Sequence, residues 1–138
     1  MSVTSAITPQ HTVHHVFDAT GPKPPFAYSA GLALRPGRAY ELSVTGLPGR
    51  LAQAVINGAA KQLVNDALDP AEGLELDEVL QGGYLVRLRR AEDTSDCPYA
   101  RVLGGADVPM WQILIPDKWG FYPGDSRYSD DPDAQPLM

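Results

Sequence analysis

Serine, histidine and carboxylate side chains are the residues here whose spacing invites chemistry. Ala27-Tyr28-Ser29-Ala30-Gly31 imitates the G-x-S-x-G nucleophile elbow, with alanine in the first glycine position. That elbow works because a strand turns sharply into a helix and lifts the serine hydroxyl onto the helix N-terminus. Gly31 leads instead into Leu32-Ala33-Leu34, the turn signal Arg35-Pro36-Gly37-Arg38 and another strand pattern. No helix starts, so a strand serine is the better account. His11, His14 and His15 offer imidazoles, but on a strand His14 and His15 point to opposite faces. No H-x-E-x-H or Cys-x-x-Cys accompanies them, and surface histidines are expected rather than a metal site. The acidic stretch with Asp125, Asp130, Asp131 and Asp133 lacks the glycine and closing glutamate of a calcium loop. Neither G-x-x-x-x-G-K-[ST] nor G-x-G-x-x-G occurs, so the usual phosphate cradles are absent. No metal and no cofactor are expected.

The densest stretch is Ile115 to Asp125, "IPDKWGFYPGD", which ends the apolar run Met110–Ile115. Asp117 can accept backbone N–H bonds and fix a turn. Gly120 supplies φ freedom and Pro123 stiffens the return. Two readings follow. In one, Trp119, Phe121 and Tyr122 fold back as a lid over the core. In the other, this loop and the strand of Tyr28 form a cleft where Asp117, Tyr28 and Glu41 act as polar anchors for an uncharged or cationic small ligand, or a peptide.

Those residues need elements to position them. The chain has 138 residues, enough for one domain that buries roughly two-thirds of its unfolded surface. The hydrophobic fraction of 43% supports a core, and thirteen prolines with thirteen glycines imply many turns. Residues 1–10 read as a flexible arm. His11–Phe17 reads as a first strand with Val13, His15 and Phe17 on one face. Phe26–Leu34 reads as a second strand. Ala39–Gly46 alternates, with Tyr40, Leu42 and Val44 inward, as a half-buried antiparallel partner for it. Leu51, Val55, Ile56, Ala59, Ala60, Leu63, Val64 and Leu68 recur at helical steps after Pro48, and Asp69-Pro70 should end that helix. Gly58 within it suits close packing on the sheet. Leu74–Leu80 fits neither period well and is read as a weak strand. Tyr84–Arg90 follows as a strand with Tyr84, Val86 and Leu88 inward. Pro98–Leu103 reads as a helical turn, and Met110–Ile115 as a central last strand, apolar apart from Gln112. The fold class is therefore α+β: a mostly antiparallel sheet of about five to six strands with one long helix on a face.

Net charge is −6, which disfavours nucleic acid as a partner. The basic cluster Arg87, Arg89 and Arg90 reads as a solvated sheet face rather than an anion site. The lone Cys97 excludes an internal disulfide and fits a reducing, cytoplasmic compartment. Beside Asp96 its thiol should be hard to ionise, so a structural cysteine is expected. The N-terminus lacks the basic start and apolar run of a signal peptide, and no stretch is long and apolar enough to span a membrane.

Three blocks together resemble the bacterial family of uncharacterised proteins DUF4262. "PFAYSAGL" resembles that family's F-A-Y-T-x-G-L, and "YELSVTGLP" resembles its P-E-L-x-x-x-G-L-P. "WQILIPDKWGFYPGD" with "QPLM" resembles Q-L-x-W-P-D-x-x-G-x-F-P-W and a final Q-P-L-L. The likeness runs over roughly residues 14–138 and implies one domain over 11–138. It places the family pattern on Phe26, Tyr28, Gly31, Glu41, Gly46, Gln112, Pro116, Asp117, Gly120, Pro123, Gln135 and Pro136. Ser29 stands where the family usually has threonine. Ile115 and Gly124 replace tryptophans, with Trp119 and Tyr122 nearby as substitute aromatic surface. The family implies no activity; a weaker likeness to suppressor-of-fused-like domains points toward binding other proteins.

The sequence thus suggests a binding or interaction module for a protein or small molecule, in a cleft near the last strand. Its candidate binding residues are Tyr28, Glu41, Gln112, Asp117, Trp119 and Tyr122, with no catalytic residue assigned. The partner is unidentified, nucleic acid and membrane are not expected, and a homodimer stays open. The alternative is a small enzyme using Asp117 with Tyr28 or a histidine as acid and base.

Overall fold

The computed structural model describes residues 11–17, 24–34, 39–131 and 134–138. The arm expected at 1–10, most of the Gly21–Pro25 break and the turn at 35–38 lie outside these residues. The elements in chain order are β1 (Thr12–Val16), β2 (Phe26–Ala30), a 3-10 turn (Leu32–Leu34), β3 (Glu41–Thr45), α1 (Gly49–Asn65), β4 (Glu75–Leu76), β5 (Val86–Arg90), α2 (Pro98–Gly104) and β6 (Met110–Leu114). They build the expected α+β architecture: one six-stranded mixed sheet in the order β1-β2-β3-β6-β5-β4. Every neighbouring pair is antiparallel except β3 and β6, which run parallel. β6 is central, as its apolar character demands.

Helix α1 covers one face. Ala52, Val55, Ile56, Ala59, Ala60 and Leu63 are buried against Ala27, Leu42, Val44, Leu76, Val86, Leu88 and Ile113. Leu51 and Val64, expected in this stripe, are exposed. The helix also stops before Asp69-Pro70. Leu68 N–H bonds Leu63 O at 2.8 Å and Ala67 N–H bonds Val64 O at 3.1 Å, with Ala67 at φ 53°. This Schellman closure satisfies the last carbonyls and ends α1 at Asn65. Gly58 faces Val79 of the β4–β5 connection, not the sheet; a Cβ there would lie 3.6 Å from the Val79 side chain.

Three other expectations need correction. Strand β2 ends at Ala30 because Gly31, at φ 108°, turns the chain into the 3-10 turn. Of Leu74–Leu80 only Glu75–Leu76 pairs, and Tyr84 is exposed instead of inward. Most important, β3 is buried along its whole length, including Glu41, Ser43 and Thr45. The alternation that suggested a solvated face is real. That face is covered by α2 and by the segment Ala134–Met138, which we term the strap.

Candidate functional site

The second face carries a row of directly paired side chains: His14 on β1, Tyr28 on β2, Ser43 on β3, Gln112 on β6 and Arg89 on β5. Paired residues share a face of the sheet, so these five line one strip across five strands. The strap crosses the β3–β6–β5 part of this face.

Polar side chains hold the main chain of the strap. Gln112 Nε2 donates to Pro136 O at 2.8 Å, and Gln112 Oε1 accepts the Met138 N–H at 2.9 Å. Thr45 Oγ1 donates to the same Pro136 oxygen at 2.9 Å and accepts a bond from Gln112 Nε2 at 3.2 Å. Arg89 Nη1 donates to Met138 O at 2.6 Å and to Gln112 Oε1 at 3.3 Å, and the Glu92 N–H also reaches Met138 O. At the other end, Gln135 Oε1 accepts the Ile115 N–H at 2.9 Å while its Nε2 donates to Ile115 O at 2.8 Å. Gly46, at φ 79°, lets the strap in: a Cβ there would sit 1.7 Å from Ala134 O. Met138 packs beside the buried cluster of Tyr28, Ala91, Cys97, Ala100 and Met110. A carboxamide that meets a peptide N–H and a peptide C=O with its two ends does what a neighbouring backbone would do. It reads main chain and is indifferent to side chains.

Tyr28 is buried beneath α2, and its hydroxyl oxygen accepts the Tyr99 N–H at 3.4 Å. His14 stacks between Tyr28 and Tyr99, with centroids 5.3 and 4.4 Å away. Burial, then the neighbouring His15, pull the His14 imidazole below its usual pKa. Burial pushes the Tyr28 phenol up. The Cys97 thiol is pushed up to about 12 by burial, with Asp96 and Asp93 adding to the effect. These groups are neutral near pH 7 and pack as an apolar cluster would.

Glu41 is fully buried in a cage of donors. Its carboxylate accepts Ser29 Oγ–H at 2.7 Å and the N–H groups of Gly31, Leu32 and Ala33 at 3.0, 3.2 and 3.0 Å. Ser29 Oγ in turn accepts the Leu42 N–H. The pair clamps the 3-10 turn to β3 beyond the last β2–β3 pairing, and the serine has no nucleophilic geometry. Burial raises the Glu41 pKa against these donors.

Asp117 organises the loop after β6. Oδ1 accepts the N–H groups of Trp119 and Phe121, both at 2.9 Å; Oδ2 accepts the Ser129 N–H at 2.7 Å and its hydroxyl at 3.0 Å. Burial would raise this carboxyl, but the Ser129, Phe121 and Trp119 donors outweigh it and hold it at about 2. All four acceptor directions are taken within the chain. Tyr122 is buried, donates to Leu85 O at 2.6 Å and carries the Arg87 guanidinium 4.1 Å over its ring. Trp119 instead stands 67% exposed.

The structure therefore does not gather the six candidates into one cleft. Gln112 lies at the strap and Tyr28 beside it on the same row, whereas Glu41 belongs to the 3-10 clamp. Asp117 and Tyr122 build the loop beside β5, which stands three strand steps, ~14 Å, from β2. Thr45, Arg89 and Gln135 also hold the strap, and none of them stands among the candidate binding residues, although Gln135 falls in the family pattern and Arg89 in the basic cluster. Arg89 in particular is not on a solvated face. Among the described residues, no three His, Cys, Asp or Glu side chains group as a metal site needs, and no helix is long and apolar enough to cross a membrane.

Fold and site together define an α+β domain whose sheet carries a helix on one face and a peptide strap on the other. The profile of DUF4262, a domain of unknown function, matches residues 8–129, most of the chain, and the chain belongs to that family. The strap, with its Gln-Pro-Leu-Met sequence, lies beyond the matched stretch. No curated protein and no solved structure matches the chain.

Proposed function

We propose that this domain is a non-catalytic interaction module that takes an extended peptide segment across the second face of its sheet, beside β6. The observation that carries this reading is the Gln112 carboxamide bonded at both ends to the main chain of the strap. Peptide-binding domains gain affinity from main-chain hydrogen bonds and specificity from side-chain pockets. The strap is then an occupant in cis, and a segment of a partner protein is the occupant in trans. A second copy exchanging its strap would give a homodimer by the same contacts. The lone, buried Cys97 suits a bacterial cytoplasm as the setting.

The acid–base alternative has less support, because all four acceptor directions of Asp117 are engaged by its own loop. The test is fluorescence anisotropy of a labelled peptide carrying residues 128–138 of this chain. The full-length Gln135→Ala variant, whose strap is loosened, should bind it saturably, and adding Gln112→Ala should abolish binding. A flat titration with a folded variant would end this reading.

A further inference from the structure

We infer that the strap groove selects a four-residue pattern, carboxamide–proline–any residue–unbranched apolar, and that a partner segment is recognised by that pattern. The inference rests on the peptide-binding reading above and adds to it the sequence the groove demands.

Each position of the strap is held differently. The Gln135 side chain is 7% exposed and meets Ile115 N–H and O together, with Tyr128 OH accepting a further bond from its Nε2 at 3.0 Å. Only a group with a donor and an acceptor on one planar fork fits; a carboxylate would set oxygen against the Ile115 carbonyl. The Pro136 oxygen takes two donors, Thr45 Oγ1 and Gln112 Nε2. Proline brings that carbonyl without an N–H that would itself need a partner. The Leu137 side chain is 48% exposed, so this position tolerates almost any residue. Met138 returns inward and packs against the cluster of Tyr28, Cys97, Ala100 and Met110, where a flexible thioether chain fills an irregular gap. Gln135 and Met138 turn inward, three positions apart, while Leu137 between them faces out.

The experiment uses the full-length Gln135→Ala chain and single-substituted versions of the peptide carrying residues 128–138. Replacing the peptide's glutamine by Glu should weaken binding about tenfold or more, because it strands a buried polar group. Replacing the peptide's methionine by Asp should do the same, because it sets a charge against the apolar cluster of Tyr28, Cys97 and Met110. Replacing its leucine by Lys or Ser should change affinity by less than about threefold. Equal losses at the glutamine and leucine positions, with the parent peptide bound, would overturn the pattern and leave the groove standing. No binding of the parent peptide would overturn both. If Gln135→Ala does not fold, Met138→Ala serves as the loosened chain. The same ranking is also read in cis: Gln135→Glu should lower the melting temperature of the intact chain, and Leu137→Lys should leave it within a degree or two.

Discussion

Gln112 grips Met138 and Pro136 at once: its oxygen accepts the Met138 N–H at 2.9 Å and its nitrogen bonds the Pro136 carbonyl at 2.8 Å. Gln112→Ala strands the Met138 N–H and leaves Pro136 O with Thr45 alone. Losing such buried bonds costs about 2 kcal/mol. Urea unfolding should show that loss, together with faster proteolysis after Arg127 as the strap lifts. Unchanged stability and proteolysis would mean that Gln112 does not hold the strap.

Gly46→Ala separates steric exclusion from backbone strain. Both Gly46 and Gly83 sit near φ 80°, but a Cβ at Gly83 would meet nothing within 4 Å, whereas at Gly46 it would strike Ala134 O. The left-handed backbone alone costs about 1–2 kcal/mol at either site. Gly46→Ala should therefore destabilise clearly more than Gly83→Ala in thermal melts, and it should release the strap to protease. Equal costs would place the strap elsewhere.

Asp117 predicts an acid limb. Its folded pKa of about 2 lies below the ordinary 3.8. A carboxyl depressed by folding contributes fully above its unfolded value and loses that contribution as pH falls through the folded one. Stability followed by circular dichroism should thus decline between about pH 4 and pH 2. Asp117→Asn, which turns an amide NH2 toward one donor pair, should be less stable at pH 7 and show a shallower acid limb.

Glu41 has the opposite sign. Burial raises its pKa above the ordinary 4.5. A group raised by folding contributes fully below its unfolded value, and that contribution is lost as pH rises through the folded one. The stability difference between the natural chain and Glu41→Gln should therefore be largest near pH 4 and shrink toward pH 8. A difference that grows with pH would show that the donor cage outweighs burial.

The local elements were legible because they rest on short-range pattern: the helical spacing of α1, the alternation of β3, the apolar run of β6. The covering of the second face was not, since its contacts join residues far apart in sequence; Thr45 and Pro136 are 91 positions apart. Alternating Glu41, Ser43 and Thr45 look alike whether water or a strap lies above them. The same holds for Arg87 and Arg89. The one local hint was Gln112, a polar residue in a central apolar strand, which asks for a buried partner. The Pro-Asp context of Asp117 marks a turn-former, and its Oδ1 does accept the Trp119 and Phe121 N–H groups. Its saturation by Ser129, twelve residues on, could not be read there.

The most direct test of the groove is to map where the peptide carrying residues 128–138 lands on the full-length Gln135→Ala chain, by amide chemical-shift changes in NMR. The account predicts shifts concentrated at Thr45, Gly46, Arg89 and Gln112, on three neighbouring strands. Shifts confined to the Trp119 loop or to α2, or none at saturating peptide, would contradict it.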